Sequence, residues 1–344
     1  MCEIKSFDPR NASDAELALL NDLQNQIRAE RLPDDPPIPR DEAIRGARHI
    51  PPFVNVSAWA VWNQDASQMI ANASCVFLNT PENKHMVEAG IEVQPEFRRH
   101  GWARKLLAEI ARVMERESRP LMLANTNERI PAGAALMERL GGERGLEMHT
   151  NQLKIAELNR ALIREWLARA DERATGFELG LWTGAYPEAD LEAIALLLRV
   201  MNTSPRGTLQ IEDFNFTPDQ LRQQEKSMFE RGTERWTLYV RERATGKFAG
   251  FTEVFWNPNR PAILSQGGTG VFPEFRNLSL GRWLKAAMLE KILRERSQVQ
   301  FIRTGNADSN AAMLKINHEL GFKPYMSQIV WQVQLARVKE YLRD

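Results

Sequence analysis

Cysteine is nearly missing from this chain of 344 residues, with only Cys2 and Cys75 present. The pair offers neither a disulfide framework nor metal-ligand spacing. The five histidines form no pair at helical spacing, so no metal is expected and a reducing compartment is. Net charge is missing too: 45 Lys and Arg balance 45 Asp and Glu, so no overall field draws the protein to nucleic acid or to an anionic membrane. Basic side chains can still gather locally around a phosphate. No apolar run reaches the roughly 18 residues of a membrane span, and the opening MCEIKSFDPR has no apolar signal core, which points to the cytoplasm. Low-complexity tracts are lacking, and 43% hydrophobic with 26% charged residues is the composition of a chain that folds throughout.

What is present is an internal repeat. The length fits two domains of about 170 residues. Val93-Gln94-Pro95-Glu96-Phe97-Arg98 returns as Val271-Phe272-Pro273-Glu274-Phe275-Arg276, an offset of 178. The strand-like run from Trp59 to Trp62 is answered from Thr237 to Val240 at the same offset, and Leu140-Gly141 by Leu320-Gly321 at 180. Three landmarks in one order and nearly one spacing indicate duplication. The reading divides the chain into an N-terminal domain over 1–155, a helical connector over 156–174 and a C-terminal domain over 175–344.

Each copy has the same succession of elements. In the first, a helix from Asp14 to about Glu30 carries Leu17, Leu20, Leu23 and Ile27 at helical spacing, and a Pro-rich stretch from Leu32 to Pro37 ends it. A short helix near Arg40 to Ala47 follows, then three strands, a helix from Trp102 to about Glu117, a strand at Leu121 to Asn125, a helix from Ala132 to Leu140 and a strand near Glu147 to Leu153. The second copy repeats this order, with helices at Asp190 to Met201, Pro218 to Phe229, Leu280 to Arg296 and Asn310 to Leu320, and ends on a strand from Gln328 to Gln334.

Strand, loop and helix meet at Val93 to Arg104. The first turn of a helix has unpaired N–H groups and the positive end of a dipole, and so can hold a pyrophosphate. Gly101 and Ala103 let a phosphate approach the backbone, and Arg98, Arg99 and Arg104 surround it with charge. This stretch resembles the acetyl-CoA loop of the GNAT superfamily of N-acetyltransferases: Arg or Gln, two residues, Gly, one residue, then Gly or Ala. Arg98, Gly101 and Ala103 fit in place, with Val93, His100 and Trp102 between and beside them. The second copy places Val271, Arg276, Leu278, Leu280, Gly281 and Arg282 in the corresponding loop, but Ser279 stands where the family usually has Gly. The segment from Arg303 to Phe322 resembles the fifth strand and following helix, which in the family lies beside the pantetheine arm. Asn310 there reads either as a helix N-cap or as a pantetheine contact.

Taken together the halves resemble tandem acyltransferases of the mycothiol-synthase type over nearly the whole chain. The fold implied is α/β (α+β): two tandem domains, each a mixed, mostly antiparallel sheet flanked by helices. The resemblance implies acetyl-CoA as co-substrate and a small-molecule amine that attacks the thioester directly. Backbone N–H groups near Val93 and Val271 would stabilise the oxyanion. Glu88 and Glu92 share one face of a strand and are candidates for the base in the first half. Glu253 is the candidate in the second, where the counterparts of the first pair are Gln266 and Gly270. For each, an ion-paired strand residue is the alternative. Where many family members carry a thiolate-protonating Tyr, this chain has Asn317 and Met137, and Tyr325 is either a substitute donor or a packing aromatic. Cys75 reads as a buried, inert thiol. Six tryptophans, among them Trp182 and Trp256, read as core or as cleft lining. The protein is expected to be a monomer or homodimer. Two competing classes remain: a non-catalytic acyl-CoA-binding or scaffold protein, which the missing Tyr favours, and an aminoacyl-tRNA-dependent peptidyltransferase, which near-neutral charge opposes.

Overall fold

A computed structural model describes residues 3–343, and Cys2 lies outside them. The first half contains β1 (Ile4–Phe7), α1 (Asp14–Arg31), α2 (Arg40–Arg48), β2 (Val54–Trp62), β3 (Met69–Leu78), β4 (Met86–Val93), α3 (Trp102–Arg116), β5 (Leu121–Asn127), α4 (Pro131–Arg139) and β6 (Glu143–Lys154). A connecting helix α5 (Arg160–Arg173) leads to β7 (Phe177–Thr183), α6 (Leu191–Leu198), α7 (Pro218–Glu230), β8 (Glu234–Glu242), β9 (Phe248–Trp256) and β10 (Ile263–Val271). The chain closes with α8 (Leu280–Glu295), β11 (Phe301–Ala307), α9 (Ala311–Leu320), β12 (Lys323–Gln334) and α10 (Leu335–Arg343). The last helix was not expected from the sequence.

Local chemistry explains the helix starts. Ser13 and Glu16 form a capping box on α1, Thr217 and Gln220 form one on α7, and Asn159 and Asn310 cap α5 and α9 with their side chains. Two starts are different: α3 begins at Gly101 and α8 at Ser279, both left-handed and neither giving a side-chain cap.

The twelve strands among the described residues form one sheet, in the order β1-β2-β3-β4-β5-β12-β6-β11-β10-β9-β8-β7. Chain order and sheet order part at the centre. β12, the last strand of the chain, pairs with β5 of the first half, and β6, from the first half, pairs with β11 of the second. β6 and β12 join each other antiparallel, with Met148 opposite Gln328; those positions differ by 180, the offset of the repeat, so the pseudo-twofold axis passes between them. The cores follow the exchange. Trp331, Val333 and Val338 pack with Leu106, Ile110 and Met122 of the first half, while Leu153, Ile163 and Trp166 pack with Leu284, Leu289 and Phe322 of the second. Each half is thereby completed by the segment that follows the other.

Parallel pairing opens the sheet twice. β4 and β5 pair only from Met86 to Glu88, and β10 and β11 only from Ile263 to Ser265, after which the strands separate. Each opening lies immediately before one of the two unusually capped helices. No helix among the described residues is long and apolar enough to cross a membrane.

Candidate active site

The two loops are built alike. After β4 a turn of 3-10 helix at Pro95–Phe97 leads through Arg99, at φ +66°, to Gly101 at +80°; after β10 a turn at Pro273–Phe275 leads through Asn277, at +65°, to Ser279 at +64°. The left-handed residues turn the chain so that α3 and α8 start with their first N–H groups free of side-chain caps. A Cβ added at Gly101 would meet nothing within 4 Å, so the space over that helix start is open. An anionic diphosphate fits such a cradle by the dipole and the donors.

The arginines of the loops are largely occupied by the protein. Arg98 Nε donates to the Val93 carbonyl at 3.1 Å, and Arg276 Nε to that of Val271 at 3.1 Å, so each ties its loop to the preceding strand end. The Arg98 guanidinium also forms a two-pronged pair with Glu30 at 2.7 and 2.5 Å, which raises its pKa, whereas Arg276 donates to Thr203 Oγ1 at 2.9 Å. Arg104 donates to the Leu342 carbonyl on α10, and Arg282 pairs with Glu319. Arg99 and His100 are exposed, as is Leu278; Trp102, Ala103 and Gly281 are half-buried or exposed along the helix start, and Leu280 is buried. Asn310 Oδ1 accepts the Met313 N–H at 3.3 Å, as a helix cap does.

Ser279 holds a conformation that costs a residue with a Cβ roughly 1 kcal/mol or more. Ser279→Gly should therefore stabilise the fold by about 0.5–1 kcal/mol and leave the helix start more open. Urea unfolding and acetyl-CoA titration check this, and a lower midpoint would contradict it.

The halves differ where the strands part. β3 and β4 stay in register from Ala71–Val93 to Val76–Glu88, but the β9–β10 ladder slips between Gln266 and Thr269, a bulge that takes Gly267 and Gly268 out of it. The space a Cβ would need at Gly267 is filled by the Phe255 ring at 2.6 Å and the Glu253 stem at 2.9 Å, so the bulge closes only on glycine. Gly268 turns its N–H to the Glu253 carboxylate, and Tyr186 Oη lies 3.5 Å from that carboxylate. Burial pushes the Glu253 carboxyl up, against the Arg235 charge and these hydrogen bonds. Burial, with Glu253 beside it, also raises the Tyr186 phenol. Tyr186 is held by the Arg235 guanidinium 3.5 Å from its ring centre and by its own N–H on Glu225 at 2.8 Å. Sequence reasoning missed Tyr186; its signal was a lone aromatic before Pro187, too weak to single out.

In the first half, Glu88 and Glu92 lie on one face of β4, Glu88 exposed and Glu92 half-buried. Burial raises both carboxyls; Glu92 also feels Arg31, and solvent screens the exposed Glu88. A recess of about 390 Å³, lined by Ser74, Glu88, Gly90, Leu123 and Asn125, opens there. Tyr325 is set between the guanidiniums of Arg129 and Arg303, each 4.4 Å from its ring, with its hydroxyl buried and without a hydrogen bond. Cys75 is buried, its thiol pushed up to about 12 by desolvation.

Under the opening of the second half lies a buried polar chain that the sequence reading did not find. Lys285 Nζ donates to Asn317 Oδ1 at 3.2 Å, Asn317 to Asn306 at 2.8 Å, and Asn151 of the exchanged strand β6 to Asn306 at 3.2 Å. The signal was a Lys on the apolar face of α8, where the first half has Leu107. Burial brings the Lys285 amine down to about 7 from 10.5. The folded state binds its proton less readily than the unfolded chain, so this burden is full below about pH 7 and is relieved as pH rises toward 10.5. Lys285→Met should gain on the order of 2 kcal/mol at pH 7, after the lost Asn317 bond is deducted, and should flatten the rise of stability between about pH 7 and 10. Melting across that range decides it.

A sheet opened twice, each opening headed by a helix whose first amides are bare, defines a duplicated acyltransferase-type fold. Residues 20–141 match the model of the Acetyltransferase (GNAT) family, so the first half carries a domain of that family, and the chain as a whole has the tandem GNAT fold. The chain is similar to a tandem GNAT protein from the clavulanic acid biosynthesis pathway, at 22% identity and a TM-score of 0.76 over 97% of this chain and 99% of that one. It is also similar to a GCN5-related N-acetyltransferase from Sphaerobacter thermophilus, at 13% identity and a TM-score of 0.65 over 96% of both chains. A fungal glucosamine N-acetyltransferase region, at 10% identity, matches 96% of this chain and 38% of its own with a TM-score of 0.64. No curated protein matches the chain.

Proposed function

We propose that this protein is an acetyl-CoA-dependent N-acetyltransferase that acts on a small-molecule amine, with the second half as its catalytic unit. The observation that carries the reading is the β10 bulge, which gathers Glu253, the Gly268 amide and Tyr186 beside the opening between β10 and β11. The amides at the start of α8 would take the diphosphate, with Arg276 steadying the loop. Acetyl-CoA supplies the activated acyl group. Glu253, held as a weak acid by its buried setting, takes a proton from the incoming ammonium, and the free amine attacks the thioester carbon. The carbon–sulfur bond breaks, and the leaving thiolate takes the second proton shed by the amine nitrogen, relayed by water or by a nearby hydroxyl. The first half keeps an open helix start at Gly101 but has no bulge in its β3–β4 ladder, and its Arg98 is paired to Glu30. These features support a binding or structural role for it. The free thiol of Cys75 suits work in the cytoplasm.

Calorimetry with acetyl-CoA and a thiol-release assay against an amine panel, corrected for hydrolysis, test the reading. Binding with amine-dependent thiol release is the expected result. Binding without release to any amine would favour a non-catalytic acyl-CoA-binding protein, and no binding at all would end the transferase reading.

A further inference from the structure

A recess of about 450 Å³ belongs to neither half alone. Its floor is the opening of the second half, with Phe255, Ser265, Gln266, Arg303 and Gly305 where β10 and β11 separate; its roof is the end of α1 and the loop after it, from the first half. Phe255 and Glu253 are successive residues on one face of β9, about 7 Å apart along the strand, so the recess adjoins the proposed base.

Four guanidinium groups line this recess: Arg28, Arg31, Arg260 and Arg303. Two carboxylates answer them by hydrogen bond. Asp35 takes Arg28 and Arg303, each at 2.8 Å, and Glu42 takes Arg260 at 2.9 and 2.7 Å. The side chain of Arg31 has no hydrogen-bond or ion-pair partner among the described residues; Glu92 feels its field without bonding to it. The crowding is visible at Arg28, whose pKa is lowered by burial and by repulsion from Arg260, Arg31 and Arg303, against the attraction of Asp35. Arg28, Arg260 and Arg303 are half-buried and Arg31 is exposed, and a recess with such surplus guanidinium charge is a site for an oxyanion, since these planar donors bind carboxylate or phosphate in pairs.

We propose that the acceptor amine of this enzyme carries an oxyanion, a carboxylate or a phosphate, which the recess binds through Arg31 with the Arg28–Asp35–Arg303 cluster behind it. The proposal rests on the transferase reading for the word acceptor, but not for the anion site itself. One half of the molecule then supplies the group that selects the substrate and the other the group that activates it. The amine end would point along β9 toward Glu253, and the anionic end toward α1.

Two measurements on the full-length protein test it. The first needs no turnover: succinate and inorganic phosphate are titrated calorimetrically in the presence of saturating acetyl-CoA, into wild type and Arg31→Gln. Binding of at least one of them that weakens about tenfold in the variant is expected, as for loss of one charged hydrogen-bond donor. Failure of both to bind, or equal binding to both proteins, overturns the site. The second compares matched amines in thiol release, phenylalanine with phenethylamine for a carboxylate and phosphoethanolamine with ethanolamine for a phosphate. The anionic member of one pair should be favoured at least tenfold through KM, and Arg31→Gln should erase the preference while acetyl-CoA affinity stays unchanged. Which pair responds tells carboxylate from phosphate, and equal use of both members in both pairs overturns the acceptor assignment. If acetyl-CoA does not bind while succinate or phosphate does so through Arg31, the transferase reading fails and the anion site stands.

Discussion

Trp331→Ala, a change near the end of the chain, should unfold the first half by preference and cost about 3–5 kcal/mol. Trp331 is 1% exposed on β12; its ring packs in the core with Leu106, Ile110 and Met122, and its indole N–H donates to Thr126 Oγ1 on β5 at 2.7 Å. Removing it leaves a large cavity and an unpaired hydroxyl between β5 and α3. Hydrogen exchange should speed up first in α3 and β5, while α8 stays protected. The reciprocal change, Leu153→Ala on β6, should cost about 2–5 kcal/mol and loosen α8 and β11 instead, because Leu153 lies wholly buried in the second core. Exchange that tracked chain order, with Trp331→Ala loosening the second half, would refute the exchanged packing. By the same argument residues 1–155 expressed alone should not fold, since their sheet lacks the strand that covers β5 and their core lacks Trp331, Val333 and Val338.

The repeat, the helix positions and both loops could be read from the sequence because their signals are local. Apolar residues at helical spacing mark α1, and the Pro-Glu-Phe-Arg pattern marks a turn at both places where it occurs. Strand exchange has no local signal. β6 and β12 carry similar patterns and both precede a helix, so either could close either half, and the choice is made by packing between segments some 180 residues apart. The bulge was hidden for a related reason: Gly267, Gly268 and Gly270 announce a weak strand but not which residue leaves the ladder. Arg98 and Arg104 look alike in sequence as phosphate ligands, yet one meets Glu30 from α1 and the other the end of α10, partners that only the fold supplies. The cationic recess was illegible because Arg31 and Arg303 come from different halves, while the balance of charge over the whole chain pointed the other way.

Glu253→Gln should lower kcat/KM for acetyl transfer by about 10²–10⁴-fold, the range for loss of a general base, without changing acetyl-CoA affinity. The amide keeps the size of the side chain, so Gly267 and Phe255 can stay packed against it, and the bulge should persist. The pH profile separates a base from a mere packing residue. Because burial raises the Glu253 carboxyl, the group is protonated and inactive at pH values where an ordinary carboxylate is already ionised. The wild-type rate should therefore climb with pH along a limb that lies above the usual carboxylate range, and the limb should vanish in Glu253→Gln. Glu88→Gln and Glu92→Gln sit on a strand whose ladder with β3 has no bulge and should leave both the rate and the limb nearly intact. A profile that followed Glu88 or Glu92 instead would move catalysis to the first half, where the helix start at Gly101 is open. With the limb at Glu253, the division of labour follows from a single structural difference: a strand that slips by one residue places a carboxylate, an amide and a phenol together, and a strand that does not slip leaves its glutamates apart on one face.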